Sequence, residues 1–250
     1  MHMRVQASRV AFVILGFLIA GVMAHAQPLV ETVKTGDVRR VKSLLKKKST
    51  NINEVDTEGL TSLMVASIAN DSVMAVLLLQ SGANPDIQSK SGMTALHATA
   101  FNNRDGLVQV LLSFNADPNL VDSKGRTPIM VAAQMGHTNP ITHMAQAGAN
   151  LEVRDVRGNT PLMLACGGRH LGAVDELLER GANPNCRDLQ GRTPLMLLAV
   201  HGEDEMIRIL LKNKADVTLV DHAMKTALAY AKDYRRKAVI GLLEKEGAKY

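Results

Sequence analysis

Residues 155–187 read DVRGNTPLMLACGGRHLGAVDELLERGANPNCR, and their pattern recurs through most of the chain. Thr160 is one of six threonines, at 61, 94, 127, 160, 193 and 226, each 33 residues after the last. Gly158 belongs to a second series at 59, 92, 125, 158 and 191. Ala182 belongs to a third, at 83, 116, 149, 182, 215 and 248, preceded by Gly at 82, 148, 181 and 247 and followed by Asn or Asp at 84, 117, 150, 183 and 216. Three registers in phase define an array of repeats and not a single irregular domain.

The unit can be read from physical chemistry alone. Asp155-Val156-Arg157-Gly158 is turn chemistry, in which Gly supplies a positive φ. Thr160 stands where a helix N-cap belongs, and Pro161, like Pro128 and Pro194, takes the first helical position, where a missing N–H costs nothing. The helix it opens is too short to stand alone. A second helix from Leu171 carries Val174, Leu177 and Leu178 on one stripe and stops at Gly181. Neither helix can cover its apolar face within one unit, so neighbouring units must stack.

A period of 33 with a turn, a Thr-Pro-Leu opening and two short helices resembles the ankyrin repeat. The resemblance rests on TSLM at Thr61, TALH at Thr94, TPIM at Thr127, TPLM at Thr160 and Thr193, and TALA at Thr226, and it covers 29–250. It implies an all-α solenoid of helix-turn-helix units with short β-hairpin turns. Seven units follow: 29–55, 56–88, 89–121, 122–154, 155–187, 188–220 and 221–250. The first and last are caps, the first lacking the Thr-Pro-Leu opening and carrying Arg39, Arg40, Lys42 and Lys46 to Lys48 on a solvent face.

The sequence departs from the family pattern in two places. The His after Thr-Pro-Leu survives only as His97, with Met64, Met130, Met163 and Met196 elsewhere, so the polar network that usually links repeats is expected to be thinned and replaced by Met packing. In the fourth unit Pro140 falls near the start of the second helix, and Met144-Ala145 replaces the usual Leu-Leu. Pro140 either bends that joint or simply occupies the first helical turn.

The N-terminal segment is read as a secretory signal. Arg4 and Arg9 precede an uncharged stretch over 10–24, followed by Ala24-His25-Ala26. A spanning helix needs about 20 apolar residues, so cleavage after residue 26 is expected, with an uncleaved anchor as the alternative. The segment has a bacterial character, giving a periplasmic or secreted chain of 27–250 with no membrane span after cleavage. Export makes a disulfide between Cys166 and Cys186 chemically possible, although helix and turn positions within one repeat favour two buried thiols.

The chain shows no sequence sign of catalysis. It has no G-x-S-x-G, phosphate-loop or C-x-x-C motif, and its histidines lack metal-site spacing. The carboxylates at 56, 122, 155, 188 and 221 stand where a turn would use them locally. A non-enzyme without cofactor or metal is therefore expected. The formal charge of +5 is unevenly spread: 31–48 carries seven basic and two acidic residues, 223–250 seven and three, and 49–222 thirteen and nineteen. With no continuous basic patch, nucleic acid is not expected as a partner.

In ankyrin-like solenoids the turn tips and the exposed inner face of the first helices bind proteins. The resemblance places Met93, Phe101, Arg126, Met135, Arg154, Arg157, Arg187, Arg192, His201 and Tyr234 there. Met, aromatic residues and Arg are enriched in protein interfaces. The arginines at 126, 154, 157, 187 and 192 would form a basic stripe for an acidic patch on a partner, or would be solvated or paired with Asp155 and Asp188. The expected function is non-catalytic protein binding by a chain that is monomeric when free. It would hold or inhibit an exported enzyme such as a cell-wall hydrolase, or serve as an accessory scaffold for periplasmic stress-defence enzymes or envelope proteins.

Overall fold

A computed structural model describes residues 28–248. The expected signal segment at 1–26 lies outside the described residues. Among those residues, no helix is long and apolar enough to cross a membrane. The described residues form fourteen helices in seven pairs: α1 (Leu29–Lys34) with α2 (Val38–Leu45), α3 (Ser62–Ala69) with α4 (Ser72–Gln80), α5 (Ala95–Phe101) with α6 (Asp105–Ser113), and α7 (Pro128–Met135) with α8 (Thr138–Gln146). The array continues with α9 (Pro161–Gly168) and α10 (Leu171–Glu179), α11 (Pro194–His201) and α12 (Asp204–Lys212), and α13 (Ala227–Asp233) and α14 (Lys237–Lys245). The odd-numbered helices stack as an inner layer and the even-numbered ones as an outer layer.

The side chains explain the starts of the inner helices. The hydroxyls of Thr61, Thr94, Thr160, Thr193 and Thr226 accept the N–H three residues on, at 3.2–3.4 Å, satisfying donors that a helix start leaves orphaned. Pro128, Pro161 and Pro194 occupy the first turn of their helices. The core follows the same period. Leu63, Leu96, Ile129, Leu162, Leu195 and Leu228 are all buried one above another in the inner layer, as are Leu78, Leu111, Met144, Leu177, Leu210 and Leu243 in the outer layer. Each such aliphatic side chain contributes about 1.5–3 kcal/mol on burial. Pro140 sits in the first turn of α8 and is buried, so the first-turn alternative describes it, and Met144 fills the leucine slot.

Repeated polar bonds join the units. The turn carboxylates of Asp56, Asp122, Asp155, Asp188 and Asp221 each accept two backbone N–H groups of their own turn, two and four residues on, at 2.8–2.9 Å. A side-chain oxygen of Asn53, Asp86, Asn119, Glu152 or Asn185 accepts the backbone N–H 31 residues later, in the next unit, at 2.7–2.9 Å. Each turn tip also gives a carbonyl to the next tip, as Arg157 O does to Leu189 N at 3.1 Å. Gly158, at φ +81°, lies so close to that tip that a Cβ would stand 2.8 Å from Leu189 N. The turns expected as short β-hairpins close through single pairs such as Asp122 N to Arg126 O at 2.9 Å, and among the described residues only Val55 and Thr61 form an isolated antiparallel bridge.

His97 is fully buried and makes the inter-repeat link that the family pattern leads one to expect. Its Nδ1 faces the N–H and hydroxyl of Thr94 at 3.2 and 2.9 Å, and its Nε2 faces Arg126 O at 2.9 Å. With Nδ1 accepting, Nε2 carries the proton and donates it across the joint. Met130 and Met196 instead place sulfur 3.5 and 3.4 Å from the N–H of Thr127 and Thr193, a contact within one unit. His137, His170 and Arg236, at the starts of outer helices, reach back to the carbonyls of Phe101, Gln134 and Val200 at 3.2, 3.0 and 2.9 Å.

Candidate protein-binding groove

The turn tips and the C-terminal ends of the inner helices present many of the apolar side chains that the stack leaves uncovered, while Val73 on α4 and Leu171 on α10 are exposed on the outer layer. Phe101 is 51% exposed at the end of α5, Tyr234 53% after α13, and Met135 39% at the end of α7. Ile68 on α3 and the tip residues Val121, Val156 and Leu189 are also exposed. His201 is exposed at the end of α11, and Met93 is half-buried beside the turn of the third unit. A row of this kind, running along several repeats, marks a contact surface more than scattered single residues would.

Four of the five arginines fall into three environments, and the charge of Arg187 acts on Asp216. Arg126 is bidentate to Asp122, with Nε at 2.9 and Nη2 at 2.7 Å, and donates from Nη1 to Gln134. Arg192 repeats this on Asp188 at 2.8 and 2.7 Å. Burial alone would raise the Asp122 carboxyl, but the Arg126 guanidinium and two backbone N–H groups outweigh it and hold that carboxyl below the usual range. These two cations are therefore partly neutralised within their own turns. Arg154 donates from Nη1 to Arg187 O at 2.8 Å, which joins the last residues of the fourth and fifth units. Arg157 is exposed, and its guanidinium makes no hydrogen bond or ion pair to any described residue.

Arg157 and Arg192 line one open cavity of 640 Å³, bounded by Gln134, Asn159, Met163 and Leu164 and by the exposed Val156 and Leu189. The structure thus gathers Arg126 (through Gln134), Arg157 and Arg192 around one depression, with Met93, Phe101, His201 and Tyr234 on other units of the row. The sequence expectation left out Gly167 and Gly168, which also line the depression. Their signal was available, since most other units carry two side chains there.

Cys166 and Cys186 are free and buried. Burial pushes the Cys186 thiol up to about 11, against a partly opposing hydrogen bond between its sulfur and the Thr160 hydroxyl at 3.1 Å, and pushes Cys166 higher still. Both are therefore thiols and poor nucleophiles at neutral pH. Among the described residues, no three His, Cys, Asp or Glu gather as a metal site.

A family model for ankyrin repeats in three copies matches residues 29–122, 67–155, 96–188 and 170–250, together nearly all of the described chain. The chain belongs to the ankyrin-repeat family. Ankyrin repeats mediate the binding of protein partners, and the chain is a protein-binding module of that kind. Its fold is similar to the crystal structure of the ankyrin repeat domain of Bcl-3, a member of the IkappaB protein family, with a TM-score of 0.81 and 24% identity over 88% of this chain and 99% of that one. With 608 solved chains matching, the likeness carries the ankyrin fold and does not single out a partner. No curated protein matches the sequence.

Proposed function

We propose that this ankyrin-repeat protein is an exported, non-catalytic module that grips one protein partner in the groove formed by its turn tips and inner-helix ends. The observation that carries this is the unengaged Arg157 beside exposed Val156 and Leu189, a cation and apolar surface that nothing in the described chain covers. The residues before 27 supply the export reading through their charged start, apolar stretch and small-x-small site. A partner in the same compartment with an acidic patch fits the groove, and covering the mouth of an exported enzyme such as a cell-wall hydrolase would inhibit it. Capture from a periplasmic fraction with residues 27–250 as bait is expected to yield one protein, lost on Arg157→Glu. Retention of the same protein by that variant rejects the groove, and hydrolase activity unchanged at saturation rejects inhibition.

The exposed basic ends support a second reading, in which Lys46, Lys47 and Lys48 on the first unit let the protein bridge envelope proteins or scaffold stress-defence enzymes. Charge reversal there, with the groove intact, would then remove binding.

A further inference from the structure

Seven and eight residues after the N-cap threonine, the inner helices carry Phe101 and Asn102, Gln134 and Met135, Val200 and His201, or Asp233 and Tyr234, whereas the fifth unit carries Gly167 and Gly168. The two glycines differ in their surroundings. A Cβ on Gly168 would meet the His170 ring at 2.5 Å, the ring whose Nε2 bonds Gln134 O. A Cβ on Gly167 would meet nothing within 4 Å. Gly168 is therefore tied to the stacking of the fourth and fifth units, while Gly167 leaves an open notch in the row of side chains.

The notch is the floor of the 640 Å³ depression, a volume within the roughly 300–1,000 Å³ of ligand pockets. Its walls combine apolar side chains, Met163, Leu164 and Leu197 below and Val156 and Leu189 at the tips, with the polar Gln134, Asn159 and Gln190. Its lining includes no carboxylate. At the rim, Asp188 engages Arg192 and Asp155 engages the Asn159 amide, leaving Arg157 to meet charge from outside. The guanidinium's forked donors suit a carboxylate.

We infer that this depression is a specificity pocket for a protein segment that seats a bulky apolar side chain over Gly167 and places an Asp or Glu carboxylate on Arg157. The inference rests on the groove reading above and adds to it the chemistry of the segment recognised.

Panning a displayed library of random peptides against the full chain tests both. Selected peptides are expected to carry Asp or Glu within a few residues of Leu, Met or Phe. Labelled copies in fluorescence polarisation are expected to lose about tenfold or more in affinity on Gly167→Leu and on Arg157→Glu, and none on Lys47→Glu. Leu is a better helix former than Gly, so Gly167→Leu fills the notch without weakening α9, and a melting midpoint at or above the parent's verifies its fold. Peptides that bind Gly167→Leu as well as the parent, yet weaken on Phe101→Ala, overturn the pocket and leave the groove reading standing. Peptides indifferent to all groove changes, or a library without acidic-apolar enrichment, overturn the pocket, and the indifferent peptides overturn the groove as well.

Discussion

Burial keeps the imidazole of His97 neutral, with Nδ1 accepting from Thr94 and Nε2–H donating across the joint. Burial, the largest influence, drives its pKa below the ordinary value, and the bond to Arg126 O only partly opposes this. Folding therefore excludes a proton that the unfolded chain accepts near pH 6.5, so the contribution of His97 to stability is complete above that pH and declines as pH falls below it. His97→Met, the residue four other units carry there, is expected to lower stability at pH 8 by about 1 kcal/mol and to flatten the decline between pH 6.5 and 5. Urea unfolding at pH 8, 6.5 and 5 measures this, and parallel declines in parent and variant would refute the titration of His97 as their cause. The role of His97 was legible because one His stood among methionines in a fixed register. The sorting of the arginines was not. Arg126 and Arg192 lie four residues after a turn Asp and fold back onto it, whereas Arg157 lies two after and does not. That distinction comes from turn geometry and not from residue type.

At the level of the turn, the glycine register shows how closely the units approach. At Gly158 an added Cβ would strike backbone of the next tip, and the positive φ penalises any side chain as well. Gly158→Ala is expected to cost about 1–3 kcal/mol. In the last unit the register holds Met224, also left-handed at φ +60° and 76% exposed. No further described tip lies against it, so Met224→Gly is expected to stabilise by about 0.5–1 kcal/mol. Thermal unfolding of the two variants checks the pair, and equal small effects would show that tips do not press on one another. Helix starts and stops were legible because Thr, Pro and Gly each act through local backbone chemistry. The clamps at 53, 86, 119, 152 and 185 were not, because Asn, Asp and Glu share that duty and only the acceptor oxygen repeats.

Over the whole molecule, the turn carboxylates of the second, fourth and seventh units contribute in the same direction. Burial raises Asp56, Asp122 and Asp221, but backbone N–H groups and neighbours such as Lys34, Arg126 and Tyr230 outweigh it, leaving all three below the ordinary carboxylate value. Depressed carboxylates stabilise the fold above the unfolded pKa, near 4, and that stability is lost as pH falls through their folded values. The urea midpoint is therefore expected to drop steeply below about pH 4, less steeply in Asp122→Asn. A midpoint constant down to pH 2 would reject this. The stack was legible because a period repeated across the chain leaves little freedom in how units meet. The groove was less so, since its most distinctive feature is two missing side chains.

The bonds from one unit to the next carry a mechanical consequence. Each clamp and tip contact reaches only the adjacent unit, so among the described residues no such bond spans the array. Tension between its ends passes through the joints in series, so every joint bears the same load and the weakest one sets the strength of the array.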